Sequence, residues 1–456
     1  MPKRFRKFLN KVLSAGLAIG MVGSLAACGG SSSSSPVAPV IPGIQNSNSK
    51  NASGTNPDLT VGGIFGGGSS LVSLVARSLE DNYGVGIASQ PTGPVNPKVQ
   101  LLYASIGSGG GLTAYLTQTP SQITPGNPPP PTSTLFPNYP YPQWDYAMSD
   151  APLSASQISQ YQSTDQSQRG PAVEVPVTSD GVATPYNPSG LTVPSKGLQL
   201  SVNTLCGIFT GGITNWNDSH ITSDNNGVQV SPNLPILVVY RADGSGTTFL
   251  LSNHMNTACA STTFPWTIGV GTLLIWPTGP GFDGETGSQG VAGKVAATAG
   301  AIGYVGPSFL GPPNNIPAAL LQDNFALNNP NSKQYIKLNT KSIINALNSV
   351  SLPNGFSPTD ILNDTIVPDP QHSGAWPIAG FTYADFYGCY SVSKTTKGIT
   401  GFVKWMDSTT LPAGQSIADK AIIAGGLVYL PTKLKTASIS AMKGVLTGPI
   451  SGVCTL

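Results

Sequence analysis

Short apolar runs alternate with segments of helical periodicity along most of the chain. The runs at 99–103, 144–148, 236–240 and 301–305 have the length and composition of buried strands. Apolar residues also recur at helical spacing, as from Leu71 to Leu79, which predicts a helix there. The alternation of strands with helices predicts an α/β fold. Further strands are predicted at 59–64, 172–177, 198–202 and 379–390, and further helices at 249–255, 287–299, 342–350, 398–406 and 417–424.

Glycine-rich turns connect several of these strands to the helices that follow. Such turns lie at 65–70, 107–111 and 243–247. A turn of this kind directs free backbone N–H groups of the helix start to one point, where the helix dipole favours an anion. Beside the third turn, Arg241 offers a planar pair of donors, and Asp243 is placed to hold that guanidinium. The pattern predicts an oxyanion cradle; the alternative for each turn is an ordinary capped helix.

One carboxylate stands at the end of a predicted strand. Asp150 follows the run at 144–148 and is flanked by Ser149 and Ala151. Open α/β sheets bind their ligands at the carboxyl ends of their strands, so Asp150 is a candidate ligand contact. The alternative is a turn or helix-cap aspartate.

Composition indicates many turns and loops. Only 9% of the residues are charged, whereas 54 are glycine and 41 are proline. Typical domains carry roughly 25% charged residues, so the polar part of this chain is largely uncharged. Prolines concentrate at 120–142, where they exclude a helix and predict an extended surface loop.

The N-terminus has the pattern of a secretory signal. A basic start precedes an apolar stretch, 12–25, that is too short for a membrane span. The segment 1–28 ends in Leu-Ala-Ala-Cys, which resembles a bacterial lipobox and implies cleavage before Cys28 with a lipid on that cysteine. The alternative is a plain secretory signal cut nearby. Residues 29–56, rich in Ser, Asn, Pro and Gly, predict a flexible tether.

Net charge excludes one class of partner. The formal charge is +2, but five basic residues and no acidic residue belong to the signal segment. The remainder carries 17 basic against 20 acidic residues, a net charge of −3. This balance argues against a general binder of nucleic acid or of anionic membranes.

The cysteines and histidines predict disulfides and no metal site. An even number of cysteines in a secreted chain predicts two disulfides, with three possible connectivities. The three histidines are isolated in sequence and there is no Cys-x-x-Cys motif, so no metal site is expected. The cysteines beyond Cys28 are Cys206, Cys259, Cys389 and Cys454.

A series of short motifs extends over most of the chain. They lie at 66–71, 103–111, 148–153, 208–218 (IFTGGITNWND), 241–249, 287–292 (GSQGVA) and 301–305. In this order they resemble bacterial phosphate-binding proteins, the solute-binding components of phosphate ABC importers, over about residues 58–450. The placement of the late cysteines resembles the DING-type branch, although residues 61–70 replace its N-terminal signature and Ser70 stands where a threonine is usual.

The resemblance implies a two-lobed class II periplasmic-binding-protein fold with a ligand cleft between the lobes. Lobe one would comprise 57–178 plus 379–456, and lobe two 179–378. Pairing within lobes, as in the DING-type branch, favours the disulfides Cys206–Cys259 and Cys389–Cys454. Asp243 would brace Arg241 without touching the ligand. The implied phosphate contacts are Ser69, Ser70, Leu71, Ser108, Asp150, Arg241, Ser245, Gly246 and Thr247.

Asp150 makes chemical sense in such a set. A carboxylate repels an anion unless the anion carries a proton that it can donate. Phosphate at neutral pH keeps at least one O–H, whereas sulfate has none. A buried acceptor that faced sulfate would cost several kcal/mol, so Asp150 predicts selection of phosphate over sulfate. Arsenate, which has a similar shape and also carries protons, is not discriminated by this feature.

The expected function is therefore phosphate capture by an extracytoplasmic protein that is lipid-anchored at Cys28 and delivers its ligand to an ABC permease. We expect a monomer that has no cofactor, no catalytic residue and no nucleic-acid partner. One alternative is a secreted phosphatase, as attributed to some DING-like relatives, although the Ser70 hydroxyl has no evident general base. Another is a surface scavenger that keeps the fold without serving an importer.

Overall fold

The computed structural model describes most of the chain after the predicted tether. The expected signal segment 1–28 with its lipidated Cys28, the tether 29–56 and the insertion 120–142, apart from Tyr141, lie outside the described residues. The described residues are 63–84, 95–118, 141, 143–323, 325, 334–347, 370–408, 416–447 and 454.

Strands and helices alternate, which confirms the predicted α/β class. The strands are β1 (Gly63–Gly68), β2 (Gln100–Ala104), β3 (Tyr146–Ser149), β4 (Val173–Gly181), β5 (Gln199–Leu200), β6 (Leu237–Arg241), β7 (Phe282–Glu285), β8 (Ala301–Gly303), β9 (Leu320–Gln322), β10 (Tyr335–Ile336), β11 (Ala379–Phe386), β12 (Cys389–Tyr390) and β13 (Leu446–Thr447). The helices are α1 (Ser73–Tyr83), α2 (Ser108–Thr117), α3 (Ala155–Thr164), α4 (Gln166–Arg169), α5 (Val202–Thr210), α6 (Ser219–Asp224), α7 (Gly246–Ala258), α8 (Gly287–Ala297), α9 (Thr340–Leu347), α10 (Ser393–Met406), α11 (Ile417–Ala424) and α12 (Thr432–Met442).

A five-stranded sheet in the order β2-β1-β3-β11-β4 forms the first half of the fold. β1 is parallel to both β2 and β3, so the carboxyl ends of these three strands meet at one edge. Ser69 directly follows β1, the segment that leads to Ser108 follows β2, and Asp150 directly follows β3. The topology thus gathers at one edge three polar residues that lie far apart in sequence.

β11 is antiparallel to both of its neighbours in this sheet and lies beside β4. The pairing begins with Ala379 opposite Gly181 and runs to Phe386 opposite Val173. The chain therefore leaves the sheet at the end of β4 and returns to it in the adjacent strand. The two passages of the chain between the halves of the fold lie side by side.

A second, smaller sheet has the order β7-β6-β8, and its pairs are parallel. Arg241 is the last residue of the central strand, β6, and α7 begins five residues later at Gly246. A third sheet, β10-β9-β5, and the pair β12-β13 complete the described strands.

Helices cover the sheets with apolar stripes. In α1 and the residue before it, Val72, Val75, Ala76, Leu79 and Tyr83 recur on one face, and none is more than 4% exposed. Burial of large apolar side chains such as these contributes about 1.5–3 kcal/mol each relative to exposure. The stripe holds α1 against β2, α10 and α11, and so it fixes the turn at 69–72 from which the helix starts. None of the helices within the described ranges has the length and apolar character of a bilayer span.

β1 ends later than the sequence pattern predicts. The pattern placed a strand at 59–64 and a turn from Phe65, whereas β1 continues to Gly68. A Cβ atom on Gly66 would lie 2.4 Å from the ring of Tyr146, and one on Gly67 would lie 2.1 Å from the carbonyl oxygen of Ala104. The glycines therefore serve the close approach of neighbouring strands inside the sheet.

Disulfides join Cys206 to Cys259 and Cys389 to Cys454, with Cα atoms 5.8 and 5.7 Å apart. These are the two pairs that the resemblance favours. The first bond ties α5 to the residue that follows α7, the helix that starts beside Arg241. The second ties β12 to the end of the chain.

We predict that Gly67→Ala lowers the free energy of unfolding by about 3 kcal/mol, because the added methyl meets backbone that can move only if β1 and β2 separate. Gly293→Ala in α8 is the control, since a Cβ atom there meets nothing within 4 Å. It should stabilise by about 0.5–1 kcal/mol through helix propensity. Urea denaturation followed by circular dichroism measures both, and equal midpoints for the two variants would contradict the prediction.

Candidate functional site

Asp150 and Ser69 meet at the carboxyl edge of the large sheet. The Ser69 hydroxyl lies 2.7 and 2.8 Å from the two carboxylate oxygens of Asp150 and donates to them. The backbone N–H of Leu71 donates to Ser69 Oγ at 3.2 Å, so the hydroxyl hydrogen is directed to the carboxylate. Asp150 is 1% exposed. A buried carboxylate is thus held by the turn that begins α1.

Ser70 connects this turn to the second sheet. Its hydroxyl accepts from Arg241 Nη1 at 2.8 Å and from the N–H of Ser288 at 3.1 Å, and it lies 3.0 Å from Ser288 Oγ. Ser288 is the second residue of α8. The starts of α1 and α8 and the end of β6 therefore converge on one hydroxyl group.

Arg241 is held in a fixed orientation. Its Nε donates to Asp243 Oδ1 at 2.6 Å and its Nη2 donates to Asp243 Oδ2, which forms a two-pronged ion pair. Asp243 also accepts from the N–H of Gly287 at 3.0 Å. Since the guanidinium is 1% exposed, this pair offsets much of the cost of burying its charge. Nη1 remains directed to Ser70.

The N-terminus of α7 faces Asp150. Ser245 caps the helix by accepting from the N–H of Thr248 at 3.2 Å. A Cβ atom on the next residue, Gly246, would lie 2.5 Å from Ser108 Oγ and 2.6 Å from the N–H nitrogen of Asp150. Only glycine allows the helix start to come this close. Across the same junction, the N–H of Gly109 donates to the carbonyl of Gly244 at 2.9 Å.

One hydroxyl at this helix start has no partner. Thr247 Oγ1 is buried and makes no hydrogen bond among the described residues. Because leaving a buried hydroxyl without a hydrogen bond costs about 1–3 kcal/mol, Thr247 Oγ1 is a candidate to hydrogen-bond a ligand at this helix start. A buried Ser108, which accepts from the N–H of Asp150 at 3.3 Å, lies beside the same turn.

The structure brings the sequence-predicted residues into one neighbourhood. Contacts link Ser69 to Asp150, Ser70 to Arg241, and Gly246 to both Ser108 and Asp150. Leu71 contributes its N–H to Ser69, and the N–H of Ser245 is taken by the carbonyl of Thr272. The predicted side chains with less than 2% exposure are those of Ser69, Ser70, Leu71, Ser108, Asp150, Arg241, Ser245 and Thr247.

Sequence reasoning missed Ser288, Thr382 and Asp180. Ser288 lies in a fourth glycine-bearing helix start, Gly287–Gly290, so the signal that found the other turns could have found it. Thr382 is a single hydroxyl within the buried strand β11, and its Oγ1 donates to Asp150 Oδ1 at 2.8 Å while also contacting Asp180 Oδ2. No local pattern distinguishes Thr382 from any other threonine in a strand.

Burial sets the protonation of the carboxyls. Burial raises the pKa of Asp150 to about 6, against the lowering effect of hydrogen bonds from Ser69 and Thr382 and of the Arg241 charge. Burial, and then the charge of Asp150, raise the pKa of Asp180 to about 8. Burial therefore disfavours a second negative charge in this pair, while the hydrogen bonds from Ser69 and Thr382 and the charge of Arg241 favour the ionised form of Asp150.

This arrangement suits a tetrahedral oxyanion that keeps a proton. Hydroxyl and N–H groups from several helix starts offer donors, and Arg241 offers a cation that Asp243 balances. The Asp150 carboxylate is an acceptor only, with spare capacity beyond its bonds to Ser69 and Thr382. In the part of the chain that the structure describes, no group of three His, Cys, Asp or Glu side chains could hold a metal ion.

Known proteins resemble this chain over most of its length. Alkaline phosphatase L of Pseudomonas aeruginosa strain UCBPP-PA14 is 29% identical over 349 residues, which cover 74% of this chain and 81% of that protein. The phosphate-binding protein PstS of Pasteurella multocida strain Pm70 is 27% identical over 303 residues, which cover 66% of this chain and 72% of that protein. A solved high-affinity periplasmic phosphate-binding protein, PfluDING with bound phosphate, superposes with a TM-score of 0.62 at 26% identity and covers 83% of this chain and 93% of its own.

A family profile decides the assignment. The profile of the PBP superfamily domain matches residues 52–410, which is most of the chain. The match includes β1 to β11 and every residue placed in the site above. This chain belongs to the PBP superfamily and has its two-lobed periplasmic-binding-protein fold.

Proposed function

We propose that this protein captures inorganic phosphate in the cleft between two lobes, 57–178 plus 379–456 and 179–378. The observation that carries the proposal is a buried acceptor, Asp150, set among donors from several helix starts. A phosphate ion with one proton matches both kinds of group, because its O–H donates to the carboxylate and its other oxygens accept. Relatives named phosphate-binding proteins support the same ligand.

Delivery to a phosphate ABC permease is the role that we propose for the captured ion. The PstS name of one relative supports this role, and lobes that close over a ligand can present a closed form to a permease. We also propose an extracytoplasmic location with a lipid anchor at Cys28, supported by the lipobox-like end of the signal segment. Release of a Cys28→Ser variant from the membrane fraction would support the anchor, and its retention there would count against it.

Calorimetric titration of the chain that follows the signal segment tests the function. Phosphate should bind at one site per chain, and sulfate should bind far more weakly at the same ionic strength. Equal affinity for both anions, or no heat with phosphate, would contradict the proposal.

A phosphatase is the second candidate, because relatives named alkaline phosphatase L match about three quarters of the chain. In the described structure the Ser70 hydroxyl contacts a guanidinium, an N–H group and another hydroxyl, and none of these is a general base. Our proposal expects binding without turnover of p-nitrophenyl phosphate. Turnover that is lost in Arg241→Ala would favour the phosphatase instead.

We predict that Asp150→Asn weakens phosphate binding by about tenfold or more, because an amide cannot accept the phosphate proton as a carboxylate does. The same change removes the negative charge that repels sulfate, so the ratio of phosphate to sulfate affinity should narrow. Titration with both anions measures the ratio. An unchanged ratio would show that Asp150 does not select the ligand.

We predict that Thr247→Val lowers phosphate affinity without lowering the stability of the protein. The hydroxyl has no partner among the described residues, so its removal should leave the stability of the ligand-free protein unchanged or raise it by about 1 kcal/mol. Phosphate affinity should fall about tenfold through the loss of one ligand hydrogen bond.

Thr248→Val is the matched control. Thr248 Oγ1 lies 2.7 Å from the hydroxyl of Tyr304, so this variant should lose about 1 kcal/mol of stability. Thermal melts without phosphate and titrations with it separate the two effects. Wild-type affinity in Thr247→Val would mean that this hydroxyl does not face the ligand.

A further inference from the structure

A second buried carboxyl lies behind Asp150, outside the set of phosphate contacts. Asp180 is fully buried near the end of β4, and Thr382 is fully buried in the neighbouring strand, β11. Thr382 Oγ1 lies 2.8 Å from Asp150 Oδ1 and contacts Asp180 Oδ2, and Thr178 Oγ1 donates to Asp180 Oδ1 at 3.0 Å. One hydroxyl thus bridges two carboxyls.

The number of hydrogen atoms constrains this bridge. A threonine hydroxyl carries one hydrogen, so Thr382 can donate to only one of the two carboxyls. If both carboxyls were ionised, the other contact would bring two oxygens together without a hydrogen between them. Both contacts are hydrogen bonds when one of the two acids is neutral. The O–H of the neutral acid then donates a hydrogen bond to Thr382 Oγ1, and the Thr382 hydroxyl donates a hydrogen bond to the ionised carboxylate.

The partners of each carboxyl decide which one keeps the proton. Asp150 receives hydrogen bonds from Ser69 and Thr382, and the charge of Arg241 also favours its ionised form. Asp180 has the Thr178 hydroxyl as its other hydrogen-bond donor. The stronger stabilisation of a negative charge at Asp150 places the proton on Asp180.

We propose that Asp180 is a positioning residue that stays a neutral acid and, through Thr382, holds Asp150 ionised and aimed at the ligand. Asp150 can then act only as an acceptor, which is the state that selects a protonated oxyanion. This inference rests on the proposed phosphate function and assigns roles to two residues, Asp180 and Thr382, that are outside the implied set of phosphate contacts.

The place of the bridge in the fold adds to its role. Asp180 and Thr382 lie on the two adjacent strands by which the chain passes between the halves of the fold, and Thr382 is paired with Thr178 across them. The orientation of Asp150 is therefore tied to both passages of the chain. A substitution at Asp180 or Thr382 would therefore alter the orientation of Asp150 without replacing a residue of the implied phosphate contacts.

The surroundings give the direction of the pH effect. Burial and the charge of Asp150 raise the pKa of Asp180 to about 8. Tyr103 of β2 also interacts with Asp180, and burial keeps its phenol neutral by raising its pKa well above the usual value. The charged side chain that most affects the pKa of Asp180 is that of Asp150, an anion.

Ionisation of Asp180 above pH 8 should therefore oppose phosphate binding. It adds a second negative charge behind Asp150 and competes for the hydrogen of Thr382. If binding requires the neutral acid, linkage lowers the affinity about twofold at pH 8 and about tenfold at pH 9 relative to a protein that cannot ionise there.

The test compares phosphate dissociation constants of the wild type and Asp180→Asn from pH 6.5 to 9.5 at constant ionic strength. Asparagine can donate an N–H to Thr382 but cannot ionise. The two proteins should agree within about twofold at pH 6.5, and the variant should bind about tenfold more tightly at pH 9. The titration of phosphate itself is common to both proteins and cancels in the ratio.

Asp145→Asn is the matched control. Asp145 is another buried carboxyl, directly before β3, whose pKa burial raises to about 7, and it accepts hydrogen bonds from the N–H of Phe65 and the side-chain amide of Gln143. This variant should keep the wild-type profile. Thr382→Val should weaken phosphate binding about tenfold and narrow the phosphate-to-sulfate ratio, and Thr382→Ser should restore both. If Asp180→Asn does not fold, the two Thr382 variants test the role of the bridge instead.

Parallel profiles for the wild type and Asp180→Asn would overturn the proposal, as would a shift of equal size in Asp145→Asn. So would an unchanged selectivity ratio in Thr382→Val. Absence of phosphate binding by the wild type at pH 7 is a different result. It would reject the proposed function itself.

Discussion

The site depends on keeping a negative charge buried where an anion is to bind. A lone carboxylate in a protein interior is so costly that it normally takes up a proton. Asp150 escapes this outcome because Ser69 and Thr382 donate to it and the charge of Arg241 favours its ionised form. Each of these groups comes from a different strand or strand end. The charge is therefore stable only in the assembled fold.

The need to surround Asp150 with hydrogen-bond donors explains the strand order and the glycines at the junctions between strands and helices. β1 must approach its neighbours closely for Ser69 to reach Asp150, and Gly66 and Gly67 provide the room. α7 must begin against Ser108 and Asp150, which Gly246 allows. The antiparallel strand β11 then brings Thr382 behind the carboxylate. Strand order and small residues at the junctions thus act together to surround one group.

Whether a site residue can be predicted from the sequence depends on how many positions separate it from its interaction partners. Glycine-rich helix starts and the Arg241–Asp243 pair are local, so their residues lie within a few positions of one another and can be recognised in the sequence. The same local signal at Gly287–Gly290 marks Ser288. The α/β class was also predictable, because it follows from periodicity within single segments.

Thr382 and Asp180 could not be found in this way. They lie 202 positions apart, and Thr382 is 232 positions from Asp150. Their contact arises only because the chain returns to the first sheet beside the strand by which it left. The late end of β1 has a similar cause, since glycines that resemble a turn in the sequence serve strand packing in the fold.

The charges of the site also limit how it can attract an anion. Asp243 balances Arg241, and Asp150 adds a negative charge, so the charged side chains give the site no net positive charge. Attraction must come chiefly from oriented neutral donors at helix starts, whose dipoles act strongly because water is excluded. Such donors reach their full strength only when an oxygen lies at the right distance. A site of this kind distinguishes ligands by the arrangement of their protons more than by their total charge, and this is why the protonation of the groups behind Asp150 belongs to the recognition of the ligand.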